Sequence, residues 1–416
     1  MTNLKEKFSR LRSLIADTAF KHVSNRLNSN KRYLSAVEIF LPNNQIFSKL
    51  NLLFPTYELR PSRKITTKFP SSLTLAFEKD STLKRSRAGS EEKRLAFLFL
   101  APLNFGIYPN LDMKFVKNAL EAANYKVCWQ ELKGNFLQDL NKVRKNLELF
   151  QSKGVSKVFI LVDVLAAPHH YPEYLKVLEI RESISDEWDV HFVALVGDIW
   201  RNKDMDGIKR ASDFVDLFVH NDIAASKGYP DYLQAKMAFF PYAALDDKLF
   251  QPASSKNGSL FFSGQIRDSD RRVWLQRTVK YTKKEKVGIQ INVWSSASSS
   301  GYKNYEDYAY ALNNASFCLS LSRRGLDHWI LTARAHQAVR SGATLIQEVG
   351  ASFDPWLDML VPWKHYVPFH DRDSLKEAIK YLGQDLPNAR NLGIQAREVY
   401  RRRFTMQNFV GLMDQQ

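Results

Sequence analysis

Polar segments that follow apolar runs in the second half of the chain carry side chains suited to binding an anion. They are Arg267 and Arg271 after SLFFSGQ, Arg323 and Arg324 after SFCLSLS, and Arg334, His336 and Gln337 in TARAHQAVRSGATLIQ. Guanidinium groups match phosphate oxygens in geometry, and helix N-termini add unpaired N–H groups. These segments predict a site for a diphosphate-bearing ligand, although exposed arginines are more often solvated or paired with carboxylates.

Continuous apolar runs alternate with amphipathic helices from Leu95 onward, and this pattern must position those side chains. The runs include LAFLFLAPL, KVCWQEL, SKVFILVDV, VHFVALVGDIW and DFVDLFVHND, and later SLFFSGQ, VGIQINVW, SFCLSLS and ATLIQEV. Such alternation is typical of an α/β fold with a parallel sheet covered by helices on both faces. Ligands of these folds bind beyond the carboxyl ends of the strands, where the arginines fall.

The alternation is interrupted once, at FFPYAALDDKLF from Phe239 to Phe250, and then begins again. We therefore predict two doubly wound, Rossmann-like domains facing a cleft. The predicted divisions are a basic extension and linker over 1–93, a first domain over 94–240, a second over 241–395 and a C-terminal helix over 396–416. A chain of 416 residues is long enough for two cores of ordinary size.

The formal charge of +16 is concentrated near the amino terminus. Residues 1–94 hold 19 Lys and Arg against 8 Asp and Glu, which leaves 41 against 36 for the rest. Within them, Leu4, Phe8, Leu11 and Ile15 form one stripe of a basic amphipathic helix. Such a helix docks on an anionic membrane surface or, more commonly, on the protein itself. A transit-like segment stays open.

The remaining composition predicts a reduced, cytoplasmic protein, peripheral to a membrane if the first helix binds one. Cys128 and Cys318 are the only cysteines, too few for a disulfide framework. No apolar run approaches the roughly 18 residues that a membrane span needs.

Several motifs of the second half occur in an order that resembles the motif order of a known protein family. PYAALDDKLF precedes the strand SLFFSGQ with its glycine, and YAYALNNASFCLSLS follows. Arg334 stands three residues before Gln337 and Gly342 five after it, and VPFHDRDSLKEAIKYL and REVYRRRFT complete the series. From Phe239 to Thr405 the chain resembles the carboxy-terminal half of GT-B glycosyltransferases. It is most similar to the group 1 glycosyltransferase-like proteins related to the spore maturation protein CgeB.

The resemblance implies a nucleotide-sugar donor, used as a co-substrate with no other cofactor, in the second domain. It also implies an acceptor, whether glycan, lipid or protein, in the first domain. Gly264 and Arg271 would lie by the donor phosphates, Arg334 would be the basic residue of an R-x-x-E segment, and Gly342 would form the turn behind it. Gln337 stands where many relatives have a glutamate that accepts hydrogen bonds from the ribose.

Glycosyl transfer with inversion needs a base for the acceptor hydroxyl, and polar residues at strand ends of the first domain are the candidates. Asp163 after KVFILV and His169 in the next loop are the leading ones, with His170 and Asp198 behind them. A capping Asp and a loop His are the ordinary explanations of such residues.

No metal site is expected. Three D-x-D patterns occur, but a metal-dependent GT-A enzyme would use one at most, so the pattern has little weight.

Other functions stay open. Gln337 motivates a non-catalytic nucleotide-sugar-binding protein, and the same architecture serves nucleotide-sugar epimerases, whose acid and base residues have no obvious counterpart here. A pI near 9.6 motivates nucleic-acid binding, but no zinc, RRM, KH or helix-turn-helix pattern supports it.

Overall fold

The computed structural model describes residues 39–40, 94–102, 109–132, 135–163, 171–197, 202–222, 233, 236–265, 269–294, 305–324, 328–350, 356 and 359–414. These residues form two six-stranded sheets and a separate two-stranded ribbon. The predicted basic amphipathic helix near the amino terminus lies outside the described residues, as does most of the predicted linker. None of the described helices is both long enough and apolar enough to span a bilayer.

The first sheet follows a short initial strand, β1 (Ile39–Phe40), which belongs to the second sheet. In chain order the strands of the first sheet are β2 (Leu95–Pro102), β3 (Lys126–Leu132), β4 (Lys157–Asp163), β5 (Val190–Val196), β6 (Leu217–His220) and β7 (Met237–Phe239). Their spatial order is β3-β2-β4-β5-β6-β7, and each neighbouring pair is parallel. The helices between them are α1 (Pro109–Ala122), α2 (Phe136–Ser152), α3 (Tyr171–Ile184) and α4 (Asn202–Ala211).

The second sheet combines β1 with five later strands. These are β8 (Asn257–Gln265), β9 (Gly288–Trp294), β10 (Ala315–Ser320), β13 (Thr344–Glu348) and β14 (Tyr366–Phe369), and the spatial order is β1-β9-β8-β10-β13-β14. Its helices are α5 (Ser269–Lys284), α6 (Tyr305–Asn314), α7 (Ala333–Arg340), α8 (Arg372–Gln384) and α9 (Leu386–Arg403). Of the pairs described in this sheet, β1–β9 alone is antiparallel, so residues of the extension form one edge.

Both sheets bury apolar side chains on both faces, which explains why their strands are continuous apolar runs rather than alternating ones. On β8, Leu260 and Phe262 pack into one cluster while Phe261 packs into another. The cluster that contains Phe261 also contains Phe97 and Phe159 of the first sheet. One continuous core therefore joins the two sheets.

Two of the described segments connect the sheets. A 3-10 turn at Tyr242–Ala244 links β7 to the second domain, and all three of its residues are buried. At the carboxyl end, α9 packs on the second sheet, and α10 (Met406–Asp414) returns to the first domain. There Asp414 Oδ1 lies 3.0 Å from Lys157 Nζ, and the rings of Phe409 and Phe240 lie 5.1 Å apart.

The sequence predicted the two doubly wound sheets, and the structure confirms them. Three short features were not predicted. The strand β7 was missed and ends at the first residue of the segment expected to interrupt the strands, the strand β14 was missed, and Arg323 and Arg324 form a strand (β11) rather than a loop. That strand pairs antiparallel with β12 (His328–Trp329). The division drawn after residue 395 falls inside α9, whose sequence runs without a break through it.

Candidate functional site

The carboxyl end of β8 and the start of α7 bring Gly264 and Arg334 into contact. A β-carbon at position 264 would lie 2.8 Å from Arg334 Nη2 and 3.2 Å from its Cζ, closer than real β-carbons approach other atoms. Glycine is thus the residue that lets this guanidinium rest on the strand end. Gly264 and Arg334, which were separate candidates in the sequence, are thus in contact at this strand end.

Arg334 is partly buried and is held over an aromatic ring, with its Cζ 5.5 Å from the centroid of Phe262. Its Nη1 is buried and has no hydrogen-bond partner among the described residues. An unpaired guanidinium nitrogen away from water is costly, because the lost hydration is not replaced. This nitrogen is therefore available to an anionic group that enters the site.

A row of buried polar side chains crosses the sheet on the face covered by α6 and α7. Ser263, Ser320 and Gln347 each lie two residues beyond Phe261, Cys318 and Leu345, which fill the core on this face. All three polar residues are fully buried. Ser263 Oγ, Ser320 Oγ and Gln347 Oε1 have no hydrogen-bond partner within the described ranges. The sequence pattern did not indicate these three residues.

Of the other arginines selected from the sequence, Arg271 and Arg323 have described side chains. Arg271 lies in the first turn of α5 and is only 8% exposed. Arg323 lies on β11, and its backbone N–H donates to Glu348 Oε2 over 3.1 Å. The side chain of Arg324, and Arg267 as a whole, lie outside what the structure describes, so their predicted roles stay predictions.

His336 is fully buried between the two domains. Its Nε2 lies 2.8 Å from the backbone oxygen of Asn221, which follows β6 of the first sheet, so the neutral ring donates its Nε2 proton there. The ring also packs edge-on against Trp356, with 5.2 Å between centroids. Burial lowers the pKa of His336 to about 3, so the ring is neutral at physiological pH.

Gln337 is 3% exposed and makes two hydrogen bonds inside the protein. Its Oε1 accepts from the Tyr308 hydroxyl over 2.8 Å, and its Nε2 donates to the backbone oxygen of Ala243 over 3.0 Å. The second bond ties α7 to the 3-10 turn that links the domains. We expected the polar face of α7 to look outward at a ligand, but His336 faces the first domain, and Gln337 faces α6 and the turn that links the domains.

The carboxyl end of α7 is fixed in a similar way. Arg340 is 3% exposed and forms an ion pair with Asp247, with 2.8 Å between Nη2 and Oδ1. Gly342 has a φ of +65°, and the Ala343 N–H donates back to the Ala338 oxygen over 3.0 Å. This is the left-handed turn that glycine favours at a helix end, as the sequence predicted.

The first domain offers fewer described groups. Asp163 is the last residue of β4, at the same edge of the sheet as Asn221 and about 10 Å away across two strand spacings. The side chain of Asp163 and all of His169, His170 and Asp198 lie outside the described part. No three described His, Cys, Asp or Glu side chains lie close enough together to hold a metal ion.

Taken together, the second sheet ends in a partly buried site. Near the carboxyl ends of its described strands, Arg334 Nη1, Ser263 Oγ, Ser320 Oγ and Gln347 Oε1 are buried and have no hydrogen-bond partner within the described ranges. The contact between Asn221 and His336 shows that the carboxyl ends of both sheets face this region. Guanidinium and hydroxyl groups are chemically suited to a ligand that carries phosphate oxygens together with hydroxyl groups.

Comparison with known proteins bears on the family and the fold. A family model described as "Glycosyl transferase-like" matches residues 271–413, which include α5, α7 and the helices that follow. No curated protein sequence is significantly similar to the chain.

Solved structures with low sequence identity share the fold. An alpha-glucosyltransferase, solved with UDP-glucose and DNA containing an abasic site, is 11% identical, with a TM-score of 0.50 over 77% of this chain and 99% of that one. TarM is 9% identical, with a TM-score of 0.42 over 66% of this chain and 57% of that one. The pneumococcal O-GlcNAc transferase GtfA, solved with UDP and GlcNAc, is 14% identical, with a TM-score of 0.40 over 66% and 59%.

At these identities only the first structure carries weight, and it concerns the fold. The chain spans little more than half the length of TarM or GtfA. The matched family model and the two doubly wound sheets together support a glycosyltransferase with a GT-B-like fold.

Proposed function

We propose that the protein transfers a sugar from a nucleotide-sugar donor to an acceptor hydroxyl, with the donor diphosphate held at the carboxyl end of the second sheet. The observation that carries this proposal is Arg334 Nη1, which is buried beside Gly264 and unpaired among the described residues. A guanidinium group that already lies on a glycine at a strand end needs little rearrangement to receive a phosphate.

In the proposed reaction the acceptor oxygen attacks the anomeric carbon as the bond from that carbon to the phosphate oxygen breaks. Negative charge develops on the departing nucleoside diphosphate, and Arg334 stabilises it. Arg271 near the start of α5 adds positive charge at the same end of the sheet, where the strands have their carboxyl ends. Because these cations can stabilise the leaving group, we propose that transfer needs no metal.

If the configuration is inverted, a base must remove the proton of the acceptor hydroxyl. We propose Asp163 at the end of β4 for this role, with His169 as the alternative. The acceptor, whether glycan, lipid or protein, would then lie against the first domain. We also propose that, among proteins with this fold, the chain is related to the CgeB-type proteins, because of the motif order from Phe239 to Thr405.

The test is a thermal-shift series with UDP, GDP, ADP, CMP and dTDP sugars, beginning with UDP-glucose because the alpha-glucosyltransferase was solved with it. A ligand at 100 times its Kd stabilises the native state by about 2.7 kcal/mol. We expect one nucleotide class to raise the Tm of the wild type and to have no effect on Arg334→Ala. Arg144→Ala removes the same charge from the first domain and is the matched control.

Gly264→Ala is a second variant, because its methyl group must displace the Arg334 side chain while the strand is retained. We expect the Tm shift to be reduced, with Gly197→Ala as control because nothing lies within 4 Å of a β-carbon there. A shift that is undiminished in both site variants would place the donor elsewhere. Absence of any shift with the wild type would refute the proposal.

A non-catalytic nucleotide-sugar-binding protein is the second candidate, favoured by the two internal hydrogen bonds of Gln337. With both of its polar ends engaged, Gln337 is poorly placed to accept from a ribose. Donor hydrolysis and transfer to mixed acceptors, measured with and without EDTA, separate the candidates. Binding without turnover under all conditions would support the binding protein.

A further inference from the structure

A protruding turn between β13 and β14 exposes apolar side chains next to each other. Val361 is 44% exposed and Trp363 is 52% exposed, with the exposed Pro362 between them and the exposed Lys364 after them. Elsewhere among the described residues, large exposed apolar side chains occur singly, as at Tyr310 and Ile394. Single ones are ordinary, whereas adjacent ones suggest an interaction surface.

The turn is held rigidly in this conformation. Trp363 has a φ of +60°, which is uncommon for a bulky residue, and its N–H donates to the Tyr366 oxygen over 2.7 Å. The buried His365 accepts the Val361 N–H at Nδ1 over 2.9 Å. The Trp363 ring packs edge-on against Tyr381 of α8, with 5.6 Å between centroids. A strained position fixed by several contacts is more typical of a functional site than of a chance loop.

The surface beside this turn is strongly basic. Trp363 contacts the last turns of α8, and the end of α8 meets the end of α5, since a β-carbon at Gly383 would lie 2.8 Å from the Glu285 backbone oxygen. We call this surface the α5–α8 basic face. Its exposed or partly exposed cations are Lys280, Lys283, Lys284, Lys286, Lys364, Lys376 and Lys380. The acidic residues that neighbour these lysines in the sequence are fewer, namely Glu285, Asp371, Asp373, Glu377 and Asp385, and Glu377 is paired with Lys380 over 3.5 Å.

We propose that the α5–α8 basic face docks on an anionic membrane, with Trp363 and Val361 entering the headgroup region. Lysines near a membrane surface are attracted to acidic lipids, and tryptophan prefers the boundary between headgroups and acyl chains. A rigid apolar turn surrounded by lysines combines both interactions. The surface belongs to the second domain and includes no residue of the basic segment at the amino terminus.

The test is co-sedimentation of the full chain with vesicles of phosphatidylcholine alone, or of phosphatidylcholine mixed with phosphatidylglycerol. We expect binding only to the acidic vesicles, weakening as salt is raised. Trp363→Ala should lower the partition coefficient at least about 5-fold, and the pair Lys280→Glu and Lys284→Glu at least about 10-fold. Each variant is compared with the wild type in thermal unfolding, so that a folding defect is recognised. If Trp363→Ala has such a defect, the conservative variant Trp363→Phe replaces it.

Matched controls lie elsewhere on the surface. Ile394→Ala removes a side chain that is 57% exposed, and the pair Lys142→Glu and Lys145→Glu on α2 makes the same charge change. We expect both to bind as the wild type does.

Three results would overturn the proposal. One is equal loss of binding in the control variants. Another is binding that survives Trp363→Ala and the α5 variants but disappears in Lys5→Glu with Lys7→Glu, which would assign it to the amino-terminal segment. The third is retention on DNA with no binding to acidic vesicles, which would identify a nucleic-acid surface.

Discussion

At the scale of single residues, the first turn of α7 divides its polar side chains between two environments. Arg334 lies on Gly264 with a nitrogen that is unpaired among the described residues, while His336 and Gln337 bond to backbone oxygens of Asn221 and Ala243. The same turn therefore forms part of the proposed donor site and part of the contact between domains.

Gln337 matters as a hydrogen-bond donor, and Gln337→Glu tests this. A carboxylate cannot donate to the Ala243 oxygen, and a buried one is strongly disfavoured, so the introduced carboxyl group should have a folded-state pKa above its unfolded value near 4.3. The stability of the variant is then retained below about pH 4 and lost as pH rises through the raised pKa. The loss has a slope of at most about 1.4 kcal/mol per pH unit.

We expect Gln337→Glu to have a lower free energy of unfolding than the wild type, measured by urea unfolding. The difference between the two proteins should be about 3 kcal/mol larger at about pH 8 than at about pH 5. Gln337→Leu is the control, because its loss of hydrogen bonds should not depend on pH. A parallel pH dependence in both variants would show that the Ala243 contact does not matter.

At this scale the sequence predicted which residues share a helix face but not what lies opposite that face. The periodicity of TARAHQAVRSG is the same whether its polar side chains meet ligand, solvent or another domain. Only the position of Asn221, which is distant in sequence, decides this for His336. A usable signal did exist for Ser263, Ser320 and Gln347, since each interrupts an apolar run near its carboxyl end.

Among the elements, α10 has a role larger than its length suggests. It is a short helix, yet Phe409 is fully buried against Phe240 of the first domain, and Met413 is 1% exposed. Before it, the rings of Phe404 and Phe240 pack edge-on at 5.5 Å, and the Phe404 oxygen accepts from Arg340 Nη1 over 3.1 Å. This carboxy-terminal segment thus bridges α7 and the first domain.

Phe409→Ala should remove much of this bridge. Deleting a buried phenyl group costs about 3 to 5 kcal/mol, through lost burial and the cavity that is left. We expect that decrease in the free energy of unfolding, whereas Gln407→Ala, at an exposed position of the same helix, should stay near the wild type. A loss below about 1 kcal/mol for Phe409→Ala would mean that α10 is not firmly docked.

The long elements were predictable because buried parallel strands are continuous apolar runs of characteristic length. The short strands β7, β11, β12 and β14 were not, since runs of two to four residues carry no periodicity. β14 also contains Pro368. Proline disfavours the prediction of a strand, but it is tolerated at the edge of the sheet, which β14 occupies.

On the scale of the whole molecule, the shared core makes the two domains one unit. A single apolar cluster contains Phe97 and Phe159 of the first sheet, Phe261 and Leu345 of the second, and Phe409 of α10. Separating the domains would expose this cluster as well as the polar contacts of α7. We therefore expect the predicted domain divisions to separate two sheets rather than two independently stable parts.

We expect the two sheets to unfold together, in a single calorimetric transition whose calorimetric and van't Hoff enthalpies agree. Donor binding should shift that transition as a whole. Two resolved transitions in the wild type would show that the shared cluster is too weak to couple the domains.

The returning helix also has a consequence for biosynthesis. The apolar surface around Phe240 is synthesised well before Phe404 and Phe409, which cover it. A chain that ends before Phe404 contains the strands of both sheets but lacks the two rings that cover this surface. The apolar surface around Phe240 is thus covered only in a chain that has been translated past α10. A chain that ends earlier displays the kind of exposed apolar patch that leads to aggregation and degradation.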